Sequence, residues 1–468
     1  MKRALILALA LAGCTVGPDY RKPDAPVEAQ YKELEGWQQA QPRDALPKGS
    51  WWSVFGDPEL DALMKRVDIS NQTIRVAEAR MRQARASADQ ARAGLFPTVG
   101  ANASATRSKA PSLSNQPNFA TGAVDNFNLG LSSSWELDLW GRVRRSVEAG
   151  EANWQASAAQ LEAARLSARA ALAQNYFALR VADATRRLLE ETVQGYQRSL
   201  ELTRNRYQAG VVPRVDVVQA EVQVKSAQAQ LIDLRVERAQ LEHAIALLVG
   251  DVPMNFALAS SPLAIRMPQV PVALPAELLE RRPDVAAAER TVQAANAQIG
   301  IAKAAYFPSL TLSASTGFRA TSIANLISAP SRFWSLGAAA AEALFDGGLR
   351  GALSDQAIAA YDAQVATYRQ AVLTGFQEVE DNLVALRVLE EEAALQEEVV
   401  QAARHAVELT TNQYQAGVVS YLNVINAQTT AYTNERAAVN VLGRRLTASV
   451  GLIRALGGGW TAAELPAR

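Results

Sequence analysis

Side chains able to do covalent or metal chemistry are scarce: one cysteine, Cys14, and two histidines, His243 and His405, in 468 residues. A lone thiol builds no disulfide framework, and one Cys with two distant His residues falls short of a structural zinc site. The sequence has no Walker-type phosphate loop, no Gly-x-Gly-x-x-Gly, no Gly-x-Ser-x-Gly nucleophile turn and no His-Glu-x-x-His pair. Both histidines read as packed or solvated helix residues, so no catalyst, metal or diffusible cofactor is expected. With 47 basic and 47 acidic side chains the net charge is zero, and nothing draws the whole chain to nucleic acid.

The chemistry left is acylation of Cys14. Lys2 and Arg3 precede an apolar run from Ala4 to Ala12, too short for a membrane-spanning helix of about 20 residues but suited to a signal peptide. The run ends in Leu11-Ala12-Gly13-Cys14, which resembles the bacterial lipobox. Residues 1–13 then form a signal peptide, and Cys14 carries a covalent lipid; otherwise it is an inert thiol after a chance small-residue signal end. Three acyl chains would anchor the chain without a transmembrane helix, each buried CH2 contributing about 0.8 kcal/mol. Thr15 follows, where lipoproteins retained in the inner membrane often carry Asp, so the outer membrane is the expected destination.

The elements that position everything else come in two copies. Residues 204–212 read RNRYQAGVV and residues 411–419 read TNQYQAGVV, at an offset of 207. Upstream, the block ending in Phe96-Pro97 matches the one ending in Phe307-Pro308, sharing Glu78 with Glu289 at an offset of 211. Proline breaks helix interiors at a cost of about 3 kcal/mol, and its absence outlines one long helix per copy, over residues 142–209 and 351–416. At 1.5 Å per residue each is a rod of about 100 Å. Gly210 and Gly417 end these rods in turns fit for left-handed caps, and proline-free helices return from them. Leu189, Val193, Tyr196, Leu200, Thr203 and Tyr207 follow a heptad spacing, as do Val400, Ala403, Val407, Thr410 and Tyr414, which reads as coiled-coil hairpins. For both tyrosines, seam packing at the hairpin end and a direct functional contact stay open together.

Between the short and long helices of each copy the period changes to two. In residues 126–139 Phe127, Leu129, Leu131, Trp135, Leu137 and Leu139 face one way, while Asn128, Ser132, Ser134, Glu136 and Asp138 face the other. Hairpins are predicted at about 97–139 and 308–345. Strands of that length with one apolar face and aromatic ends suit a transmembrane barrel, yet four strands fall below the minimum of about 8, so several copies would have to share one. The competing reading is a periplasmic rod whose hairpins pack on its own helices.

Further blocks carry a family resemblance: Cys14-Thr-Val-Gly-Pro-Asp-Tyr-Arg-Lys-Pro, Trp51-Trp-Ser-Val-Phe-Gly-Asp-Pro-Glu-Leu, Arg281-Arg-Pro-Asp-Val-Ala-Ala-Ala-Glu and Phe345-Asp-Gly-Gly. With the doubled Tyr-Gln-Ala-Gly-Val-Val, nearly the whole chain resembles the lipoprotein branch of the TolC-type outer-membrane efflux proteins, the NodT- or OprM-like outer-membrane factors. The resemblance implies a mainly α fold with membrane β: four strands and long coiled-coil helices per chain, and a homotrimer whose 12-stranded β-barrel stands on a 12-helix α-barrel. It implies an acylated and equatorial segment at 14–60, a first repeat at 61–250, an equatorial linker at 251–283, a second repeat at 284–457 and a tail at 458–468. The partners implied are a periplasmic adaptor protein, an inner-membrane pump of the resistance-nodulation-division (RND) type and outer-membrane lipid. The function implied is a passive exit duct for drugs or other toxic compounds. A type I protein-secretion duct shares the fold, and a structural periplasmic coiled-coil lipoprotein explains only the helices.

The resemblance places both glycine turns at a periplasmic tip where the duct narrows. Tyr207, Gly210, Asp216, Tyr414, Gly417 and Asn423 are the tip candidates. Asp216 matches an aperture-lining aspartate of relatives; equally, it is an acidic residue in a first helical turn, favoured by the helix dipole by about 0.3–1 kcal/mol. Where some relatives carry a tip arginine, two residues after Gly417, this chain has Val419. The lumen candidates are Glu136 and Asp138, from their place opposite Trp135 and Leu137.

Overall fold

Proline, glycine and short acidic caps set the element boundaries. The computed structural model describes residues 15–25, 31–33, 50–109, 122–263, 267–268 and 280–467; Cys14 and the signal segment lie outside the described residues. Helix α1 (Pro58–Ser70) starts with proline at its first position, and the Asp57 carboxylate accepts from the Glu59 and Leu60 amides. Helix α2 (Gln72–Ala93) is capped by Asn71, whose Oδ1 accepts from Ile74 at 3.1 Å. Strands β1 (Thr98–Ser108) and β2 (Val124–Leu137) follow, then the long helix α3 (Arg142–Gln208) and its returning helix α4 (Arg214–Leu248). The second copy repeats the order with α5 (Pro283–Ala304), β3 (Ser309–Ala320), β4 (Arg332–Ala341), α6 (Leu349–Gln415) and α7 (Tyr421–Ala455).

The copies match in length element by element: α3 and α6 have 67 residues each, α4 and α7 have 35 each. Helix α6 begins two residues before the proline-free stretch suggested, because Asp346 caps it, accepting from Gly348 N at 2.9 Å and Arg350 N at 3.2 Å. The same need ends β2 at Leu137, so Leu139 and Asp138 lie beyond the strand. Asp138 turns to the start of α3 and accepts from the Val143 and Arg144 amides at 2.9 and 2.8 Å. Strand β4 stops at Ala341, and Phe345 stands exposed before the Gly347-Gly348 turn.

The four strands form one antiparallel sheet in the order β1-β2-β3-β4. Its register aligns Ala101 with Leu131, Leu131 with Thr316 and Thr316 with Trp334. One face thus gathers Leu129, Leu131, Trp135, Leu312, Trp334 and Leu336. The other carries Asn102, Asn128, Ser132, Ser315 and Ser335, with Ser315 and Ser335 hydroxyls 2.7 Å apart. Among the described residues nothing covers the apolar face: Trp334 is 74% exposed and Leu336 76%.

Each long helix is flanked end to end by two short ones. Near the sheet α3 packs on α2 and α5, and α5 packs on α6; toward the turns α3 packs on α4 and α7, and α7 on α6. The largest core lies midway, where Trp51, Leu60, Met64, Tyr176, Phe177 and Leu446 are buried and the Phe55 and Phe177 rings lie 4.8 Å apart. A charged network seals it. The buried Arg180 donates to Asp183 at 3.1 Å, to the Ala259 carbonyl at 2.9 Å and to Glu59, and Arg238 donates to the other Asp183 oxygen at 2.9 Å.

Candidate functional site

Both hairpin turns are built the same way. Gly210 (φ 74°) and Gly417 (φ 78°) take the left-handed conformation that only glycine adopts without strain. Val211 N donates to the Arg206 carbonyl at 2.9 Å and Gly210 N to the Tyr207 carbonyl at 2.9 Å; Val418 and Gly417 make the same pair to Gln413 (2.9 Å) and Tyr414 (3.0 Å). These are Schellman ends, which satisfy carbonyls a helix otherwise leaves open. At the second turn the Gln415 carbonyl is left over, and α6 has no basic residue in its last turn.

Arg206, in the last turn of α3, fills that gap from the other hairpin. Its guanidinium donates to the Gln415 carbonyl at 2.7 Å and lies 4.7 Å from the Tyr414 ring centroid. One cation therefore serves the negative ends of two helices and stacks on an aromatic face. Sequence reading missed it because the partner lies 209 residues away. A basic residue in one last turn facing none in the other was the available signal.

The tip candidates are not equivalent. Tyr414 is 2% exposed, packs on Tyr421 with ring centroids 5.4 Å apart and donates to Thr203 Oγ1 at 3.4 Å, whereas Tyr207 is 44% exposed. Asp216, in the first turn of α4, is half-buried. Burial pushes its carboxyl above the usual aspartate range, and the Arg206 charge opposes this only in part. Asn423 is exposed. A second pair of cross-hairpin contacts lies above the turns, Gln223 to Thr429 at 3.0 Å and Gln428 to Ser199 at 2.9 Å.

At the sheet end, Glu136 sits on the polar face opposite Thr311 and is held by Arg142 through two bonds of 2.8 and 2.5 Å. Asp138 is past the strand and is matched by Arg144 at 3.2 Å. The two carboxylates thus face arginines rather than open space, and Asp138 works as a helix cap. Trp140 stacks on Phe307 at 4.8 Å beside a cavity of about 170 Å³ lined by Glu136, Asp138, Arg142 and Ala341. Among the described residues no three His, Cys, Asp or Glu side chains gather as a metal cage, and no helix is long and apolar enough to cross a membrane.

The Outer membrane efflux protein family matches residues 63–251 and 274–458. The chain belongs to that family. Curated relatives of this efflux protein include the probable efflux pump outer membrane protein TtgC of Pseudomonas putida, 32% identical over 97% of this chain and 94% of the relative. The pyoverdine export outer membrane protein OpmQ of Pseudomonas aeruginosa is 35% identical over 89% of each. Among solved structures, the outer-membrane channel OprN superposes with a TM-score of 0.90 at 32% identity, covering 96% of this chain and all of that one. The open-state MtrE channel of Neisseria gonorrhoeae gives 0.84 at 30% identity, covering 96% and 99%.

This efflux protein is a non-catalytic, passive exit duct of the outer membrane. Each of the two matched segments holds one hairpin of strands and one helical turn. An uncovered apolar sheet face is what an outer-membrane strand must present to lipid. Leu336→Lys, near the middle of β4, should destabilise the membrane-embedded protein by about 2–4 kcal/mol. The check is the denaturant midpoint in bilayers, with Ser335→Lys on the opposite face as the near-neutral control.

Proposed function

We propose that three copies close into a single duct, a 12-stranded barrel above a 12-helix tunnel, anchored by lipid on Cys14 and docked through a periplasmic adaptor to an RND-type inner-membrane pump that drives drugs or other toxic compounds through it. The observation that carries this reading is the open sheet. Its edges β1 and β4 have no strand partner among the described residues, its outward face is apolar, and its inward face is lined with Ser, Thr and Asn. An open edge in lipid leaves backbone donors and acceptors unsatisfied at several kcal/mol each, so β4 of one copy must pair with β1 of the next.

The tip supports the second part of the reading. Three copies would bring six hairpin turns together, with Asp216 repeated around the narrowest point, where a ring of carboxylates focuses field and selects cations. The relatives bear toluene, antibiotic and pyoverdine efflux or export in their names, which supports a duct whose cargo is chosen by the pump.

The test is planar-bilayer conductance of the purified mature protein, with its mass measured in the same detergent. Trimers giving discrete conductance steps support the duct. Monomers without conductance would overturn it. In the same preparation an N-terminal peptide carrying the mass of three acyl chains supports the anchor, and an unmodified Cys14 refutes it.

A further inference from the structure

Residues 15–25 form no helix or strand, yet three buried polar side chains of the helices are turned toward them. Asn296 of α5 (4% exposed) donates to the Pro18 carbonyl at 2.9 Å, and Arg145 of α3 (5%) donates to the Gly17 carbonyl at 3.4 Å and to Asp19 at 2.9 Å. Glu289 of α5 accepts a hydrogen bond from the Tyr20 hydroxyl on one oxygen and faces Arg290 at 3.3 Å with the other. The backbone fit is as close. Val16 N donates to the Trp140 carbonyl at 3.0 Å, a Cβ on Gly17 would overlap the Gly300 backbone, and one on Gly141 would overlap Thr15. Tyr20 and Ala25 pack against Val285, Val292, Tyr368 and Val372, bridging α5 and α6.

The internal duplication shows what this segment replaces. Glu78, the first-repeat counterpart of Glu289, pairs with Arg165 of α3 at 2.8 Å. Helices α3 and α6 correspond position for position, so the counterpart of Arg165 is Val372, buried and unable to pair; Tyr20 supplies the missing donor. Lower down the same substitution recurs. Arg180 pairs with Glu59, and its counterpart Arg387 pairs with Glu33 at 2.5 Å. Arg169 lies under the Trp52 ring at 5.2 Å, and its counterpart Phe376 packs edge-on to Tyr31 at 6.4 Å. Glu380 accepts from the Lys32 and Glu33 amides at 2.7 and 3.0 Å, and Arg369 donates to the Asp24 carbonyl at 3.1 Å.

We propose that residues 15–25 and 31–33 are a staple that fixes α6 to α5 and α3 from Tyr368 to Arg387, in place of the contacts that Arg165, Arg169 and Arg180 of α3 make with Glu78, Trp52 and Glu59. A second clause rests on the exit-duct reading: opening then moves α6 only beyond Arg387. Unfastening the staple leaves Glu289 buried with one fewer donor, which speeds local opening of the backbone it holds.

The test is hydrogen exchange of the full-length mature protein carrying Tyr20→Phe, which keeps the ring and removes the donor. Peptides from α5 and from residues 361–387 should exchange about tenfold faster, peptides from residues 400–430 should not change, and adding Glu289→Gln should restore exchange to within about twofold. Unchanged exchange over α5 and 361–387, or acceleration of the tip to the same degree, overturns the staple. Should Tyr20→Phe fail to assemble, Glu33→Gln must speed exchange near Arg387 alone; no change there also overturns it. Single-channel records of the same variants should show added conductance levels. Faster exchange with unaltered records overturns the second clause and leaves the staple standing.

Discussion

Channels carrying Arg206→Ala should open far more readily than the parent, with a shift in the closed-to-open equilibrium of about tenfold or more. The size follows from what the guanidinium does. Its hydrogen bond to the Gln415 carbonyl contributes about 1.5–3 kcal/mol as a charged donor, and its place over the Tyr414 ring adds about 0.5–2 kcal/mol; about 1.4 kcal/mol is a factor of ten. Both contacts join one hairpin to the other, so their loss falls on the relation between hairpins and not on either turn, whose glycine caps are local. Arg206→Lys is the informative companion. An ammonium is a point charge that cannot stack flat and donate sideways at once, so it should recover only part of the closure. Single-channel recordings at one voltage check this, and equal open probabilities for parent and Arg206→Ala would refute it. Acidification gives a second readout. The raised Asp216 carboxyl loses its charge at a higher pH than an ordinary aspartate, so cation preference should fall on mild acidification in the parent, and that pH dependence should be lost in Asp216→Asn.

The largest loss of stability is expected from Arg180→Ala, about 3–5 kcal/mol, the range found when one partner of a buried ion pair is removed. Arg180 and Asp183 are 1% and 2% exposed, so solvent screens neither. Without the guanidinium, Asp183 keeps Arg238 at 2.9 Å, but the Ala259 carbonyl and Glu59 lose their donor, and the Tyr176 ring loses the cation 4.8 Å away. Four pieces of chain meet there: α1, α3, α4 and the segment leaving α4. Thermal unfolding in detergent should show a lower midpoint, with conductance of the surviving channels near that of the parent. The exposed counterpart of this arrangement, Arg444→Ala against Glu392 at 3.2 Å, should cost under about 1 kcal/mol. Comparable losses for the two would show that burial does not govern the effect.

Much of the architecture was legible because it rests on local chemistry. Missing prolines outlined rods that end within one residue of the observed α3 and α6 C-termini, since a helix stops where the next glycine takes a positive φ. Alternation revealed the strands but ran on to Leu139 and Phe345, because the pattern cannot register that Asp138 and Asp346 are needed as caps and pull the chain out of the sheet. The site was less legible. Tyr207 and Tyr414 sit in identical six-residue motifs and end in different surroundings, one exposed and one sealed under Arg206. Arg206 itself reads as an ordinary last-turn arginine. The staple carries neither period two nor period 3.6, and its partners lie more than 100 residues away, so no window of sequence displays it.

The unequal tyrosines say something about shape at the far end of the molecule. In the proposed trimer, six turns could stand at the corners of a regular hexagon if the repeats were alike. They are not alike: one turn in each chain is tied down by its neighbour, and the other keeps its tyrosine free. The orifice of that proposed trimer would be a triangle with alternating corners, every second one sealed under its Arg206.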